Sequence, residues 1–201
     1  MAAANKTVQT ELLAITLVSA GTQQLSSVLT LTNTIQALII IDFALVATTA
    51  ITTGTEFRIE VSEKTSGSDT WRPLTAFVTG TTAAITATVQ ATQNSGSTSI
   101  TSTGANSVAQ DDIVFLKNGT LANSEWVKVT SITSTTVFVL QDATTNAQGG
   151  SAIYNKSQHF VATIDCLSIV RLRVTVNNKY QAGTMSDIVA RIAAITTDTF
   201  S

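Results

Sequence analysis

Hydrophobic and polar residues alternate along several short segments of this chain, which is the pattern of a β-strand with one buried face. In residues 56–61, the apolar side chains of Phe57, Ile59 and Val61 alternate with charged ones. Residues 171–176 repeat the pattern, with Leu, Val and Val separated by Arg, Arg and Thr. Both segments are therefore predicted to be strands with an apolar face that points inward and a polar face that points to water.

A turn rich in Ser and Gly follows the first of these strands at residues 64–69. Residues 70–78, with Trp71 near their start, are predicted to return as the second strand of a hairpin. β-Branched and apolar residues favour strands in further segments. These segments are residues 11–18, 25–31, 35–45, 84–91, 113–116, 126–132, 137–141, 152–155 and 160–166.

Three local patterns add detail to this prediction. The run 35–45 is almost continuously apolar, which indicates a central strand covered on both faces. Residues 186–195 fit either a helix capped by Ser186 or a strand, and we favour the strand because the rest of the chain is rich in β signals. The pair Asn118-Gly119 predicts a type I′ turn between two short strands.

The middle of the chain has the features of a separate unit. A low-complexity stretch of Thr, Ala, Ser, Gly and Gln leads into it, and a flexible turn at Gly149-Gly150 lies near its end. We predict an all-β protein, an antiparallel, jelly-roll-like β-sandwich with an inserted small β-barrel; one continuous sandwich is the alternative. The predicted parts are a flexible N-terminal arm at residues 1–10, a split sandwich domain at 11–93 plus 158–201, and the inserted subdomain at 94–157.

Composition narrows the classes of function. Roughly one residue in five or six is Thr, and charged residues make up only 12%. The net charge of -2 and the absence of a basic stripe argue against binding to a nucleic-acid backbone. The longest apolar run spans about half of the roughly 20 residues that a membrane helix needs, and it contains Asp42. No signal peptide is evident and the single Cys166 cannot form an internal disulfide, so we expect synthesis in a reducing cytoplasm.

Few residues suggest chemistry. His159 is best interpreted as a surface or interface histidine, because a general base needs an orienting acid and a nucleophile. Cys166 alternates with Ile164, which indicates a small buried residue. Asp111 and Asp112 could join Asp142 or Glu125 in a calcium site, but their spacing fits no calcium loop and a solvated turn is the simpler interpretation. We therefore predict no catalytic residue, no cofactor and no metal site.

Large aromatic residues and arginines supply the candidate interface. Trp71 and Trp126 open strands at turn boundaries, and Trp is enriched at the centres of protein interfaces, although core packing is the default for an aromatic residue. Arg171 and Arg173 lie on the polar face of their strand, where cross-strand pairs with acidic residues such as Glu60 would fix register and partner choice. These four residues are the predicted interface.

Several segments resemble structural proteins encoded in the virion modules of tailed bacteriophages. Residues 46–57 read VATTAITTGTEF, 112–125 read DIVFLKNGTLANSE, 142–147 read DATTNA and 171–174 read RLRV. The resemblance extends over about residues 35–176 and lies in phrase and order, without a catalytic motif. It implies a virion component such as a capsid decoration or cement protein, and it assigns no role to any residue.

Low charge and sparse protection of strand edges indicate a protein that works inside an assembly. The leading hypothesis is a non-enzymatic decoration or cement protein on the capsid surface of the virion. Its expected partners are the major capsid protein and further copies of itself, with a trimer suggested by family analogy, and neither nucleic acid nor membrane. The alternatives are a phage tail component, either a tube or an adhesion module, and a carbohydrate-binding β-domain.

Overall fold

The structure, a computed structural model, describes residues 9–46, 54–66, 70–79, 85–154, 157–180 and 186–198. Within these ranges the chain forms β-strands and two short 3-10 turns, Leu121–Asn123 and Asn178–Tyr180. The predicted all-β, antiparallel sandwich class is confirmed. The strands are β1 (Thr10–Val18), β2 (Gln23–Leu25), β3 (Leu29–Thr30), β4 (Thr34–Val46), β5 (Glu56–Ser62), β6 (Arg72–Val78), β7 (Ile85–Thr88), β8 (Ser99–Thr101), β9 (Ile113–Lys117), β10 (Glu125–Ser134), β11 (Val137–Leu140), β12 (Ala152–Tyr154), β13 (Ser157–Asp165), β14 (Arg171–Asn177) and β15 (Asp187–Asp198).

Two sheets enclose the larger core. A four-stranded sheet has the order β1-β15-β4-β13, and a five-stranded sheet has the order β2-β14-β5-β6 with β3 beside β14. The inward positions predicted for β5 and β14 are confirmed, because Phe57, Ile59, Leu172 and Val174 are buried between the sheets. Aromatic rings extend this core to one side of the sandwich, where Phe77 stacks on Phe57 at 5.0 Å and on Phe160 at 3.9 Å between ring centroids.

A third sheet is drawn from residues 85–154, in the order β7-β12-β9-β10-β11-β8. An antiparallel bridge between Val89 and Ser102 links its two outer strands, so the sheet curls back on itself. Its interior is a separate apolar cluster that includes Ile100, Phe138 and Ile153. We call this unit the small barrel. Its first strand begins before the predicted start at residue 94, and the division into separately folding domains stays a prediction.

The small barrel covers part of the outer face of the four-stranded sheet. Ala44 of β4 and Val189 of β15 form a small buried cluster with Phe115 and Tyr154 of the small barrel. The alternate residues of β4, such as Phe43, face the sandwich core. The apolar run 35–45 is thus a central strand, as predicted, but it is covered on both faces only over residues 41–45, because Gln36 is exposed and Leu38 and Ile40 are partly buried.

Several local predictions need correction. The segment 25–31 is two short strands, because the backbone between them turns aside and the Ser26 N–H donates to the Val174 carbonyl at 2.9 Å. Strand β8 lies in the part of the low-complexity stretch after residue 91, where no strand is predicted. The prediction of a type I′ turn at Asn118-Gly119 is wrong, since neither residue has the positive φ that this turn requires. The Asn118 side chain instead accepts a hydrogen bond from the Thr120 N–H at 2.9 Å, and a 3-10 turn follows.

Other predictions agree with the structure or fall outside it. The ambiguous segment near the C-terminus is a strand, β15, which pairs with β4 along its length. The hairpin between residues 56–61 and 70–78 is confirmed as β5 and β6. In the part of the chain that the structure describes, no helix is long and apolar enough to cross a membrane. Most of the predicted N-terminal arm, residues 1–8, lies outside the described residues.

A glycine in the loop before β12 tests the packing of the small barrel. A Cβ on Gly149 would lie 2.3 Å from the Ala91 carbonyl oxygen, whereas a Cβ on Gly119 would meet nothing within 4 Å. Because the obstacle is backbone, we expect Gly149→Ala to lower the free energy of unfolding by about 1–3 kcal/mol. Gly119→Ala should change it by less than about 0.5 kcal/mol. Denaturant unfolding of both variants measures the difference, and equal stabilities would contradict this packing.

Candidate functional site

Three of the four predicted interface residues meet on the outer face of the five-stranded sheet. Trp71 lies just before β6, and Arg171 and Arg173 lie two residues apart on β14. The guanidinium carbon of Arg173 is 4.3 Å from the centroid of the Trp71 ring, and that of Arg171 is 5.7 Å away. Both distances are within the range of a cation–π contact. We call these three residues the tryptophan–arginine platform.

A buried carboxylate holds the platform in place. Glu60 of β5 lies directly opposite Arg173 of β14. Its side chain is only 9% exposed, and it accepts hydrogen bonds from Arg173 Nε at 2.7 Å and from the Thr175 hydroxyl at 3.1 Å. The Arg171 Nε–H donates to the Lys64 carbonyl at 2.7 Å. Both arginines are therefore fixed before any partner binds, which lowers the entropy cost of binding.

The neighbouring charges on this sheet face form a connected row. Arg58 donates to Glu56 at 2.6 Å and lies 3.7 Å from Glu60, and the Asn177 amide donates to Glu56 at 3.0 Å. Burial raises the pKa of Glu56, but the hydrogen bonds from Asn177 and Arg58 and the charge of Arg58 outweigh it, so the pKa lies below its usual value. The face predicted to be wet is thus partly closed, since Glu60 and Thr175 are both buried.

The fourth predicted interface residue, Trp126, lies elsewhere. It sits on β10 of the small barrel, where its ring packs on Phe115 with centroids 4.5 Å apart. On its other side, the guanidinium carbon of Arg191 is 5.5 Å from the ring centroid. Its indole Nε1 is buried and has no hydrogen-bond partner within the described ranges. Trp126 therefore packs where the small barrel meets the four-stranded sheet, and its role in an interface with another molecule stays a prediction.

A polar row that was not predicted crosses the four-stranded sheet beside this tryptophan. Asp42 of β4 lies directly opposite His159 of β13 on one side and Arg191 of β15 on the other. The Asp42 side chain is 4% exposed. It accepts a hydrogen bond from Arg191 Nε at 2.8 Å, a second from Arg191 Nη2, and one from His159 Nδ1. The signal in the sequence that could have revealed this row is the single acid, Asp42, inside an apolar run, because a buried carboxylate needs hydrogen-bonding partners.

This arrangement fixes the charge state of Asp42. Burial raises its pKa, but the hydrogen bond from His159 and the charge and hydrogen bonds of Arg191 outweigh that effect and hold the pKa below the ordinary value of 3.8. The ionised carboxylate accepts only, so the Nδ1 of His159 carries the proton that it donates. The row therefore acts as a cross-strand clamp that sets the register of β13, β4 and β15.

Three other residues considered as candidates for chemistry, Cys166, Glu125 and Asp112, are buried or hydrogen-bonded to the backbone. Cys166 is buried, as predicted, and burial raises the pKa of its thiol, which disfavours a reactive thiolate. The Glu125 carboxylate accepts hydrogen bonds from the backbone N–H groups of Thr145 at 2.8 Å and Asn146 at 2.6 Å. Asp112 accepts one from the Ala109 N–H at 2.8 Å. Among the described residues, no three His, Cys, Asp or Glu side chains gather as metal ligands would.

Comparisons with known proteins give little. No family model matches the chain, and no curated protein matches it. Among solved structures, the chain is similar to VP17, a capsid protein of bacteriophage P23-77, at 12% identity over 98% of this chain and 100% of that chain. The TM-score of that similarity is 0.21, which is too low to carry an argument about fold or role.

The charge state of Asp42 leads to a prediction about acid stability. Because its folded pKa is depressed, the stability from its ionised form is complete above the ordinary value of 3.8 and is lost as the pH falls through the lower, folded pKa. Asp42→Asn should reduce the free energy of unfolding at neutral pH by about 1–3 kcal/mol, since buried hydrogen bonds are lost. The gap between variant and wild type should stay constant at pH values well above 3.8 and should narrow as the pH falls below that value.

Asp111→Asn is the matched control for this substitution. The Asp111 side chain is 73% exposed and lies 3.7 Å from Lys128, and its positive φ is one that Asn also tolerates. Its stability should stay within about 0.5 kcal/mol of wild type. Chemical denaturation across the pH range measures all three proteins, and an Asp42→Asn chain as stable as the control at neutral pH would refute the clamp.

Proposed function

We propose that this chain is a non-enzymatic structural protein of a tailed-phage virion, a capsid decoration or cement protein that binds between major capsid subunits. The resemblance of residues 46–57, 112–125 and 142–147 to proteins of phage virion modules supports a place in the virion. The tryptophan–arginine platform is the observation that carries the binding role. Trp and Arg are the residue types most enriched among those that dominate binding energy.

The platform has the properties of a binding anchor. Trp71 is half-buried, so part of its ring remains available to a partner while the rest is held by the chain. Arg173 is held by Glu60, and the low exposure of that carboxylate keeps the ion pair poorly hydrated. A partner that covers the ring would exclude water from the arginine contacts and strengthen them. This combination supports attachment to a protein surface, a role that needs no catalytic residue.

The proposal is tested by reconstitution on shells. Purified protein is mixed with capsids that lack it, and the particles are imaged by electron cryomicroscopy. Ordered density at symmetry positions of the shell is expected. Density confined to tails would replace the proposal with a tail component, and glycan binding without virion binding would replace it with a carbohydrate-binding domain. Substrate turnover by the isolated chain would contradict the non-enzymatic role.

Substitutions in the platform test which surface attaches. Trp71→Ala should weaken capsid binding by about 30-fold or more, the loss typical of a residue that dominates an interface. Arg173→Lys should also weaken it, because lysine keeps the charge but loses the planar group that stacks on Trp71 and meets Glu60. Occupancy on shells, titrated against protein concentration, measures both effects.

Arg72→Lys is the matched control for the arginine. Arg72 is the neighbour of Trp71 in the chain, and its side chain is 68% exposed with a 3.4 Å contact to Glu63. Its replacement should leave capsid affinity close to wild type, and circular dichroism should show that all three variants keep the β-sheet signal. If the control and the platform variants bind equally well, another surface attaches the chain to the shell.

A further inference from the structure

Strand β13 forms a long and regular open edge of the four-stranded sheet. It pairs with β4 along all nine residues, from Ser157 to Asp165, without a register shift. No other described strand pairs with its far side. An edge of this kind presents a row of backbone donors and acceptors that only another extended backbone can match. The strand contains neither Lys nor Pro, the residues that commonly protect such edges.

The other outer strands are protected, each in its own way. On the opposite edge of the same sheet, β1 has two register shifts, and the Ser27 N–H donates to its Leu12 carbonyl at 2.8 Å. Strand β6 contains Pro73 and a register shift beside it. Strands β2 and β3 have only three and two residues. The outer strands of the small barrel are joined by the bridge between Val89 and Ser102. Within the described ranges, β13 is thus the long edge without such protection.

The surroundings of β13 are apolar. Val161, at the centre of the strand, is 54% exposed, and Leu74 on the neighbouring β6 is 47% exposed. Between the two strands lies an open groove of about 470 Å3, lined by Leu74, Phe160, Ala162 and Ile164 among others. A strand added to β13 would lie along the rim of this groove and cover its apolar walls.

The sequence of β13 is compatible with itself in antiparallel register. With Val161 at the centre, the opposed pairs avoid like charges and place apolar residues together at the middle. The pairs are Val161 with Val161, Phe160 with Ala162, His159 with Thr163, Gln158 with Ile164 and Ser157 with Asp165. Cross-strand pairs of this kind are what stabilise an antiparallel sheet.

We propose that β13 pairs with β13 of a second copy about a twofold axis at Val161, which joins two four-stranded sheets into one sheet of eight strands. A second copy is favoured over other occupants because the strand is complementary to itself and because the blunted edge of β1 cannot accept β13 in a head-to-tail ring. The twofold contact predicts a dimer instead of the trimer that family analogy suggests. The inference depends only on the sheet edge and is independent of the proposed function.

A lysine at the centre of the strand tests the contact. In Val161→Lys two like charges would face each other across the axis, which destabilises the pair, while the exposed position tolerates lysine in the single chain. Light scattering coupled to size exclusion should give the wild type a mass of twice 21.0 kDa and the variant a mass of 21.0 kDa. Val28→Lys is the control, since Val28 is 44% exposed and lies between β2 and β3, which pair with β14 of the other sheet. It should remain a dimer. A wild-type monomer, or a Val161→Lys chain with unchanged mass, would overturn the proposal.

Cross-linking tests the register. A Cys at position 161 would lie opposite its own copy with the Cβ atoms about 4.5–5.5 Å apart, close enough for a disulfide after a small adjustment. Under mild oxidant, Val161→Cys should form a covalent dimer. The wild type, whose single cysteine is the buried Cys166, and Val28→Cys should stay uncross-linked at the same concentration. Equal cross-linking of Val28→Cys and Val161→Cys, or none of Val161→Cys, would contradict the twofold contact at β13.

The experiments distinguish a failure of the proposed function from a failure of the proposed β13 contact. If the wild type dimerises through β13 but leaves capsids bare, the proposed function is wrong and the edge contact stands. If Val161→Lys and the wild type have the same mass while Trp71→Ala loses capsid binding, the edge contact is wrong and the proposed function stands.

Discussion

Residues 41–45 of β4, in the middle of the four-stranded sheet, are buried on both faces, and the rest of the structure depends on this constraint. Ile41 and Phe43 of β4 face the sandwich core, while Ala44 of the same strand packs against Phe115 and Tyr154 of the small barrel. A sheet covered on both sides has few positions where a polar side chain keeps its hydration. The small residue at position 44 also lets the barrel approach closely. The apolar character of β4 thus supports two cores at once.

The buried carboxylates of the two sandwich sheets lie where the register of the strands places a charged partner directly opposite them. Asp42 lies opposite Arg191 and His159, and Glu60 lies opposite Arg173. Buried ion pairs add little net stability, because desolvation offsets much of their attraction. Their value here lies in specificity. A slip of one residue would turn the charged partner to the other face of its sheet and leave a carboxylate buried alone.

Most outer strands of the sheets have features that prevent another strand from pairing with them, and one does not. Bulges, Pro73, short strands and the barrel bridge close most outer strands, whereas β13 remains long and regular. With a net charge of -2, copies of the chain repel one another weakly. The platform on one sheet and the open edge of the other lie on separate elements, so one chain has surface for two different contacts. This division is compatible with the proposed attachment to a shell and the proposed pairing of two copies.

The sequence by itself determined the fold class and the positions of most strands. Strict alternation marked β5 and β14, and a continuous apolar run marked β4 as central, because side-chain periodicity reflects burial directly. It missed β8, where Ile100 is the only apolar residue among Ser and Thr. The Asn118-Gly119 pair misled because the Asn side chain bonds its own loop.

Only the tertiary structure decided which residues meet. It joined Trp71 to Arg171 and Arg173, placed Trp126 apart from them, and brought His159 and Arg191 to Asp42 from 117 and 149 residues away along the chain. Alternation tells which face a side chain occupies, but it does not encode which strands become neighbours. Strand order depends on the packing of whole sheets, and that packing alone fixed the polar clamp, the platform and the open edge.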